Sequence, residues 1–206
     1  TYDRVDLKDV PEELKNALIA TEDKNFYRHN GYDIIGIIRS SIQNVVARRA
    51  VQGASTLTQQ LARILFLSNE RTITRKIKEL EVSARIEKTI SKDQILEMYL
   101  NNVYLGAGAY GVSAAAKIYF NKKLNQLTLP ELALIAGLPQ APSVYNPYNS
   151  KDLAVQRRNQ VLKRMLTMKY ISKEDYEKAI QADLKLSTVP QIYTTNRAPY
   201  FSDYVI

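Results

Sequence analysis

The sequence predicts a mainly α-helical domain, and three observations carry that prediction. Seven Gly and seven Pro in 206 residues are too few for a turn-rich β protein. Apolar residues recur at helical spacing in segment after segment. Several of those segments open on a hydroxyl or acidic residue with Glu or Gln three places on, the signature of a capped helix start. With 45% apolar residues, the chain is long enough to bury one domain's core.

Asp9-Val-Pro-Glu12 puts an acceptor at an N-cap with Glu three residues later. A first helix is therefore expected from about Pro11 toward Glu22, with Leu14, Ala17 and Leu18 on one face. From Asp33 onward Ile34, Ile38, Ile42 and Val45 keep a helical period, while Ile35, Ile37 and Val46 form a second apolar side decorated by Arg39, Arg48 and Arg49. A helix that apolar is unusual at a surface. Ser55 opens the next helix, through Leu57, Leu61, Ile64, Leu65 and Leu67. Ile73, Ile77, Leu80 and Ala84 then define a long helix from about Thr72 to Lys88, with charges on its other faces. Ser91 with Gln94, and Thr128 with Glu131, are capping boxes. The first leads into Ile95, Leu96 and Tyr99, the second into Leu132, Leu134, Ile135 and Leu138 before Pro139, and Gly106, Gly108 and Gly111 punctuate the stretch between. Helices about Leu153–Met168 and Lys173–Ala182 close the folded part, expected to span 1–186. Ser187–Ile206 has Pro190, Pro199 and no helical period, and reads as a linker or the start of a further domain.

Composition narrows the chemistry. Lys and Arg number 29 against 21 Asp and Glu, a net +8 that calls for an anionic partner such as phosphate, nucleic acid or lipid head groups. The absence of cysteine excludes disulfides, thiolate metal sites and a cysteine nucleophile. A single histidine, His29, argues against a histidine-based metal site and leaves a serine nucleophile only one partner. Carboxylate chemistry is what remains.

Three clusters have the right residue types for it. Thr21 to Gly31 brings Glu22, Asp23, Phe26 and His29 together at a helix end, a pattern that solvated termini share. Gln52 to Leu61 places small and hydroxyl residues at a helix start, where free backbone N–H groups and the helix dipole favour phosphate, with Gln59 and Gln60 one turn in. An ordinary Ser cap has the same pattern. Arg63, Arg71, Arg75, Lys76, Lys78 and Glu79 form the third cluster, in which Arg71, Arg75 and Glu79 share one helix face. A salt-bridged surface fits that spacing equally well.

In order along the chain stand Glu22-Asp-x-x-Phe26-x-x-His29-x-Gly31, Gly53-Ala-Ser-Thr-Leu-Thr-Gln-Gln60, Arg75-Lys-x-Lys-Glu79, Ile95-Leu-Glu97-x-Tyr99-Leu-Asn-Asn-Val-Tyr-Leu-Gly106 and Ala136-Gly-Leu-Pro139-x-Ala-Pro142. Together they resemble the glycosyltransferase domain of class A penicillin-binding proteins and the monofunctional peptidoglycan polymerases of glycosyltransferase family 51. The resemblance spans about Leu7 to Ala182, and five long motifs in one order do not arise by chance. One departure is Arg63, where many members carry Lys, so a planar fork replaces a point donor.

The resemblance implies a lysozyme-like, two-lobed helical fold and polymerisation of lipid II into β-1,4-linked glycan with inversion. By motif match, Glu22 would be the general base, its pKa held suitable by an apolar neighbour such as Phe26. The leaving undecaprenyl diphosphate is a stable anion that needs positive charge rather than a general acid. Arg63, Arg71, Arg75, Lys76 and Lys78, with Ser55, Thr56, Gln59 and Gln60, would supply it. Asp23, Phe26, His29, Glu97 and Asn101 complete the substrate-binding set that the motifs imply. Glu79, the family's second essential acid, would orient the cations or help hold a divalent ion at the diphosphate, which without His or Cys ligands would be magnesium or manganese bound partly through substrate phosphate.

Further expectations follow from the same resemblance. The apolar helix Ile34–Val46 would meet the membrane, with its arginines on anionic head groups, the alternative being a helix buried in the core. Moenomycin, a donor mimic, would occupy the cationic groove, and the cell-wall synthesis machinery would be a partner. The enzyme would work on the outer face of the cytoplasmic membrane, with an anchor preceding Thr1, and Ala198–Val205 would lead into a transpeptidase domain. A lysozyme-type hydrolase would use a lone acid and has no need of the Arg75–Glu79 cluster. A nucleic-acid-binding module would use the +8 charge, but no helix-turn-helix, zinc or RNA-binding signature is present. A purely structural membrane-surface module leaves Glu22 and Glu79 without a task.

Overall fold

The computed structural model describes residues 4–32, 55–67 and 72–188. The expected apolar helix Ile34–Val46, with Arg39, Arg48 and Arg49, lies outside the described residues, as do Gln52, Gly53, Arg71 and residues 189–206. Nine α-helices are described: α1 Glu12–Glu22, α2 Leu57–Phe66, α3 Ile73–Thr89, α4 Lys92–Asn102, α5 Val112–Phe120, α6 Leu129–Gly137, α7 Pro142–Tyr145, α8 Lys151–Thr167 and α9 Lys173–Gln181. Short 3-10 turns stand at Leu7–Asp9 and Leu124–Gln126, and among the described residues the extended backbone makes a single isolated bridge, Tyr104 with Tyr110. The fold is therefore mainly α and of the lysozyme-like class. No described helix is long and apolar enough to cross a membrane.

The helices pack as two lobes. One gathers α1, α7 and α9 around the α6–α8 pair, the other stacks α3 and α4 against α2, and α5 touches both α4 and α6. A continuous apolar core runs through both, with Leu14, Leu18, Phe26, Leu57, Leu61 and Tyr99 among its fully buried members. Removing surface of that size from water is the main force holding the lobes together.

Local sequence explains most helix starts, with corrections at two. The first helix is not capped by Asp9. That residue ends the 3-10 turn, its N–H on the Asp6 carbonyl, and Pro11 occupies the N-cap without a side-chain bond. Ser55 does not cap α2 either. Thr56 does, in a full capping box: its hydroxyl accepts from Gln59 N–H at 3.1 Å while Gln59 Oε1 accepts from Thr56 N–H at 3.2 Å. The Ser91–Gln94 box forms as expected, and Glu131 Oε1 takes both the N–H and the hydroxyl of Thr128. The helix at 112–120 has no cap signal in the sequence, because α5 starts behind Gly111, which offers no side chain. Ser187, expected to begin the linker, is still tied to the body: its N–H reaches the Tyr119 carbonyl and its hydroxyl the Ile118 carbonyl.

α3 departs from its pattern most. Its apolar repeat predicts a buried Ile73–Ile77 stripe, yet Ile73 is 82% and Ile77 61% exposed, and the buried residues of this helix are Glu79 and Ser83. Periodicity marks a face but does not say which face the neighbouring helix meets. Here the helix turns its polar side inward against α2.

Gly111, at φ +84°, is a position only glycine fills easily, and a Cβ there would lie 2.7 Å from the Asn101 carbonyl oxygen. Gly111→Ala should therefore cost about 2–3 kcal/mol of stability, read as a lower urea midpoint at unchanged slope.

Candidate active site

The end of α1 delivers two adjacent carboxylates to the seam between the lobes. Asp23 Oδ2 accepts from the Leu57 N–H at 3.0 Å, the first turn of α2, and from His29 Nε2 at 2.7 Å. His29 Nδ1 accepts from Gly31 N–H at 3.1 Å and faces Lys92 Nζ at 3.3 Å, which leaves the ring proton on Nε2 for Asp23. Thr56 Oγ1 donates to the Gly31 carbonyl at 2.7 Å, and Gly31, at φ +99°, is pressed onto Ser83 of α3. Phe26 is fully buried, edge-on to His29 and Tyr27, with Lys92 Nζ 4.7 Å above its ring. Asp23, Phe26, His29 and Thr56 thus form the rigid support that joins the loop after α1 to α2.

Glu22 stands beside this support and makes different contacts. Its Oε2 accepts from Gln60 Nε2 at 3.1 Å, and Gln60 Oε1 accepts from the Tyr99 hydroxyl at 3.0 Å. A carboxylate can only accept, so the amide NH₂ points at Glu22 and the amide oxygen is left to accept from Tyr99. Arg157 Nη2 lies 3.5 Å from Glu22 Oε1, and Arg164, on the same α8 helix, caps the Thr21 carbonyl at 2.7 Å. Burial raises the Glu22 pKa above the ordinary glutamate value, against the opposing pull of the Gln60 bond and the Arg157 and Arg164 charges.

Glu79 has the opposite surroundings. It is fully buried, and its two oxygens accept from Arg63 Nε and Nη2 at 3.2 Å each, Arg75 Nη1 at 2.6 Å and Lys76 Nζ at 2.8 Å. Burial alone would raise its pKa, but the bonds from Arg63 and Lys76 win and hold it below the usual carboxylate range. Lys76 also donates to Ser55 Oγ at 2.8 Å, which brings the start of α2 into the cluster. Three cations on one carboxylate leave positive charge over, and the Arg63 and Lys76 side chains reach solvent where an anion can meet them. Gln60 and Arg63 sit one turn apart on α2, so a single helix face joins the two carboxylate centres.

Other expected site residues stand elsewhere. Glu97 accepts from Arg4 Nη2 and Leu7 N–H at 3.0 Å each, and Asn101 pairs with both polar groups of the Val5 backbone. Both side chains hold residues 4–7 onto α4. Gln59 is fully buried as the capping partner of Thr56, and its Nε2 has no hydrogen-bond partner among the described residues. Lys78 is exposed, and Arg71 lies outside the described residues. Arg157, which belongs to none of the three sequence clusters, also stands at the site, and the sequence does carry a signal for it. Arg157 and Arg158 occupy core positions in α8 between Ala154 and Val161, where an apolar pattern should not hold two arginines.

A resident divalent ion does not fit these donors. The Glu79 oxygens are already engaged by three cations, which repel a further positive charge, and among the described residues no group of three acidic or histidine side chains converges.

A family model described as Transglycosylase matches residues 1–166. The chain is 50% identical over 201 residues to Penicillin-binding protein 1A of Aquifex aeolicus, covering 98% of this chain and 27% of that protein. It is 51% identical over 205 residues to Penicillin-binding protein 1A of Escherichia coli strain K12, covering 98% of this chain and 24% of that protein. Among solved structures, Penicillin-binding protein 1A from Haemophilus influenzae aligns with a TM-score of 0.54 and 32% identity, over 91% of this chain and 18% of that one. The chain spans about a quarter of the length of these curated relatives.

Because Glu79 is ionised and paired in the folded state, its lowered pKa contributes stability above its unfolded value of 4.5, and this is lost as pH falls through the folded pKa. Glu79→Gln should cost about 2 kcal/mol at neutral pH, a modest figure for a buried ion cluster because two of its cations reach solvent. Thermal melts of both forms between pH 7 and about pH 3 should converge at the acid end.

Proposed function

The chain belongs to the transglycosylase family, the peptidoglycan glycosyltransferase domain of class A penicillin-binding proteins, and on that premise we propose that it polymerises lipid II with Glu22 as general base. The observation that carries this reading is the pairing of unlike carboxylates along one face of α2: Glu22, with raised proton affinity, next to a cationic cradle built on Glu79. A sugar hydroxyl is a weak nucleophile at neutral pH. Glu22 takes the proton of the acceptor 4-hydroxyl as its oxygen attacks the donor's anomeric carbon from the face opposite the leaving group. The new C–O bond forms as the bond to the diphosphate breaks, so configuration inverts.

The departing diphosphate carries its electrons away as an anion and requires charge, not a proton. Arg63, Arg75 and Lys76, preorganised by Glu79, supply charge that need not be rearranged as the bond breaks. Glu79 in this reading is an orienting group and never an acid, since a carboxylate held ionised has no proton to give. Moenomycin, as a diphosphate-donor mimic, would compete for the same cations.

A membrane-borne substrate agrees with the apolar surface beside the cradle. Phe66 at the end of α2 is 64% exposed and Ile73 and Ile77 open α3 beside the cationic side chains, a mixture suited to a bilayer surface. The enzyme would then act on the outer face of the cytoplasmic membrane, together with the cell-wall synthesis machinery and the remaining length of its relatives' architecture.

Labelled lipid II in detergent should yield polymer with this chain, and Glu22→Gln should lower turnover by about 10²–10⁴-fold. The variant should remain folded. A carboxylate with a raised folded-state pKa loses stability as pH climbs from 4.5 to that pKa, so removing its charge relieves a cost at neutral pH. Cleavage of preformed glycan without polymerisation would instead identify a hydrolase.

The base must be ionised to act, so the rate should rise with pH through an acid limb lying above the ordinary glutamate value. The pH profile of kcat/KM, which reports the substrate-free enzyme, checks this.

A further inference from the structure

We infer that Arg157 is a positioning residue for Glu22, and that Gly137 and Tyr145 exist in their places to hold that guanidinium. The proposal deepens the function proposed above and rests on Glu22 being the base.

Arg157 is 4% exposed, deep enough that each of its donors must be accounted for. Nε donates to the Gly137 carbonyl at 3.0 Å, at the negative end of α6. Nη1 donates to Gln160 Oε1 at 3.3 Å, and the guanidinium lies over the Tyr145 ring, 5.3 Å from its centroid. These contacts fix the plane of the fork so that Nη2 faces Glu22 Oε1 at 3.5 Å. At that distance, away from water, the charge interacts strongly even though the hydrogen bond is long.

Gly137 supplies an independent observation. A Cβ on it would stand 2.8 Å from Arg157 Cγ, so any other residue there displaces the arginine. The motif Ala136-Gly137-Leu138-Pro139-x-Ala141-Pro142, which holds no reactive group, thereby acquires a physical task. Its glycine opens the passage for Arg157, and its last proline begins α7, which carries Tyr145 under the guanidinium.

The groups around Glu22 make Arg157 the informative one to change. From α8 come Arg157 and Arg164, and Arg164 is committed to the Thr21 carbonyl. From α2 comes Gln60, with Arg63 one turn on and bound to Glu79. Tyr99 of α4 acts through Gln60, and Asp23, next in the chain, is bound to His29 and Leu57. The only ionisable side chain of α6, Glu131, is paired with Lys122. Among the described residues Arg157 is therefore the cation in contact with the Glu22 carboxylate, opposing what burial does to it while Gln60 holds the other oxygen.

The test compares the parent chain with Arg157→Gln, Arg157→Lys and Gly137→Ala in two readouts: lipid II polymerisation across pH, and direct titration of Glu22 by carboxyl carbon NMR, assigned with Glu22→Gln. Arg157→Gln should move the acid limb and the Glu22 titration upward together. Turnover should fall about tenfold or more near pH 6.5, recover to within about threefold near pH 9, and leave KM within about twofold. Arg157→Lys should restore part of the shift, and Gly137→Ala should reproduce it in smaller measure without removing a charge. A uniform loss at every pH with an unmoved Glu22 titration would overturn the proposal and leave Arg157 a packing residue. If Arg157→Gln does not fold, the Lys and Gly137→Ala variants decide by the same criterion. A Glu22 titration that moves in a chain unable to polymerise lipid II would sustain the positioning role and reject the proposed reaction.

Discussion

Two neighbouring carboxylates at the end of α1 hold the arrangement together, because each reaches across the lobe boundary to α2. Asp23 accepts the Leu57 N–H, one of the unpaired donors at the start of that helix, and Glu22 accepts the Gln60 amide one turn later. A buried carboxylate loses its water and must find partners, so the two side chains fix how the lobes meet. His29, Gly31 and Thr56 make the joint rigid, since the loop carbonyl, the ring and the cap all terminate on one another.

The same joint separates two acids of one chemical type into two roles. Glu22 receives one amide bond and one long contact to a guanidinium, and burial dominates its proton affinity. Glu79, with no exposed surface, receives four bonds from three cations and stays ionised. Unlike environments for paired titratable groups are the usual way a site acquires a proton acceptor and a fixed charge at the same pH. Because Gln60 and Arg63 both project from α2, the spacing between the two environments is set by a helical turn and not by a flexible loop.

Legibility in the sequence followed the range of the interactions. Helices governed by their own caps and spacing, such as Lys92–Asn102 behind Ser91 and Lys173–Gln181 behind Ser172, begin where the residues say they should. The carboxylates and cations of the three clusters were visible as chemistry, and the motif order exposed the family. The errors have physical reasons. Ser55 and Thr56 are adjacent hydroxyls, and only the backbone conformation decides which one caps α2. Glu97 and Asn101 share a motif with Tyr99, yet they point to residues 4–7 while Tyr99 points to Gln60, because neighbours on a helix face different ways.

By itself, then, the sequence determined what depends on composition and nearest neighbours: where most helices form, the excess of positive charge, the absence of thiols, and the presence of Glu22 and Glu79, the second with cations one helical turn away. The tertiary structure alone decided which face of α3 is buried, since an amphipathic helix can be rotated to bury either side depending on its neighbour, and here Glu79 and Ser83 go inward while Ile73 and Ile77 stay out. It alone put Arg157 against Glu22, a pair 135 residues apart in the chain. Proton affinity and charge balance are properties of a three-dimensional environment, and contacts between distant segments, which no local pattern encodes, create that environment.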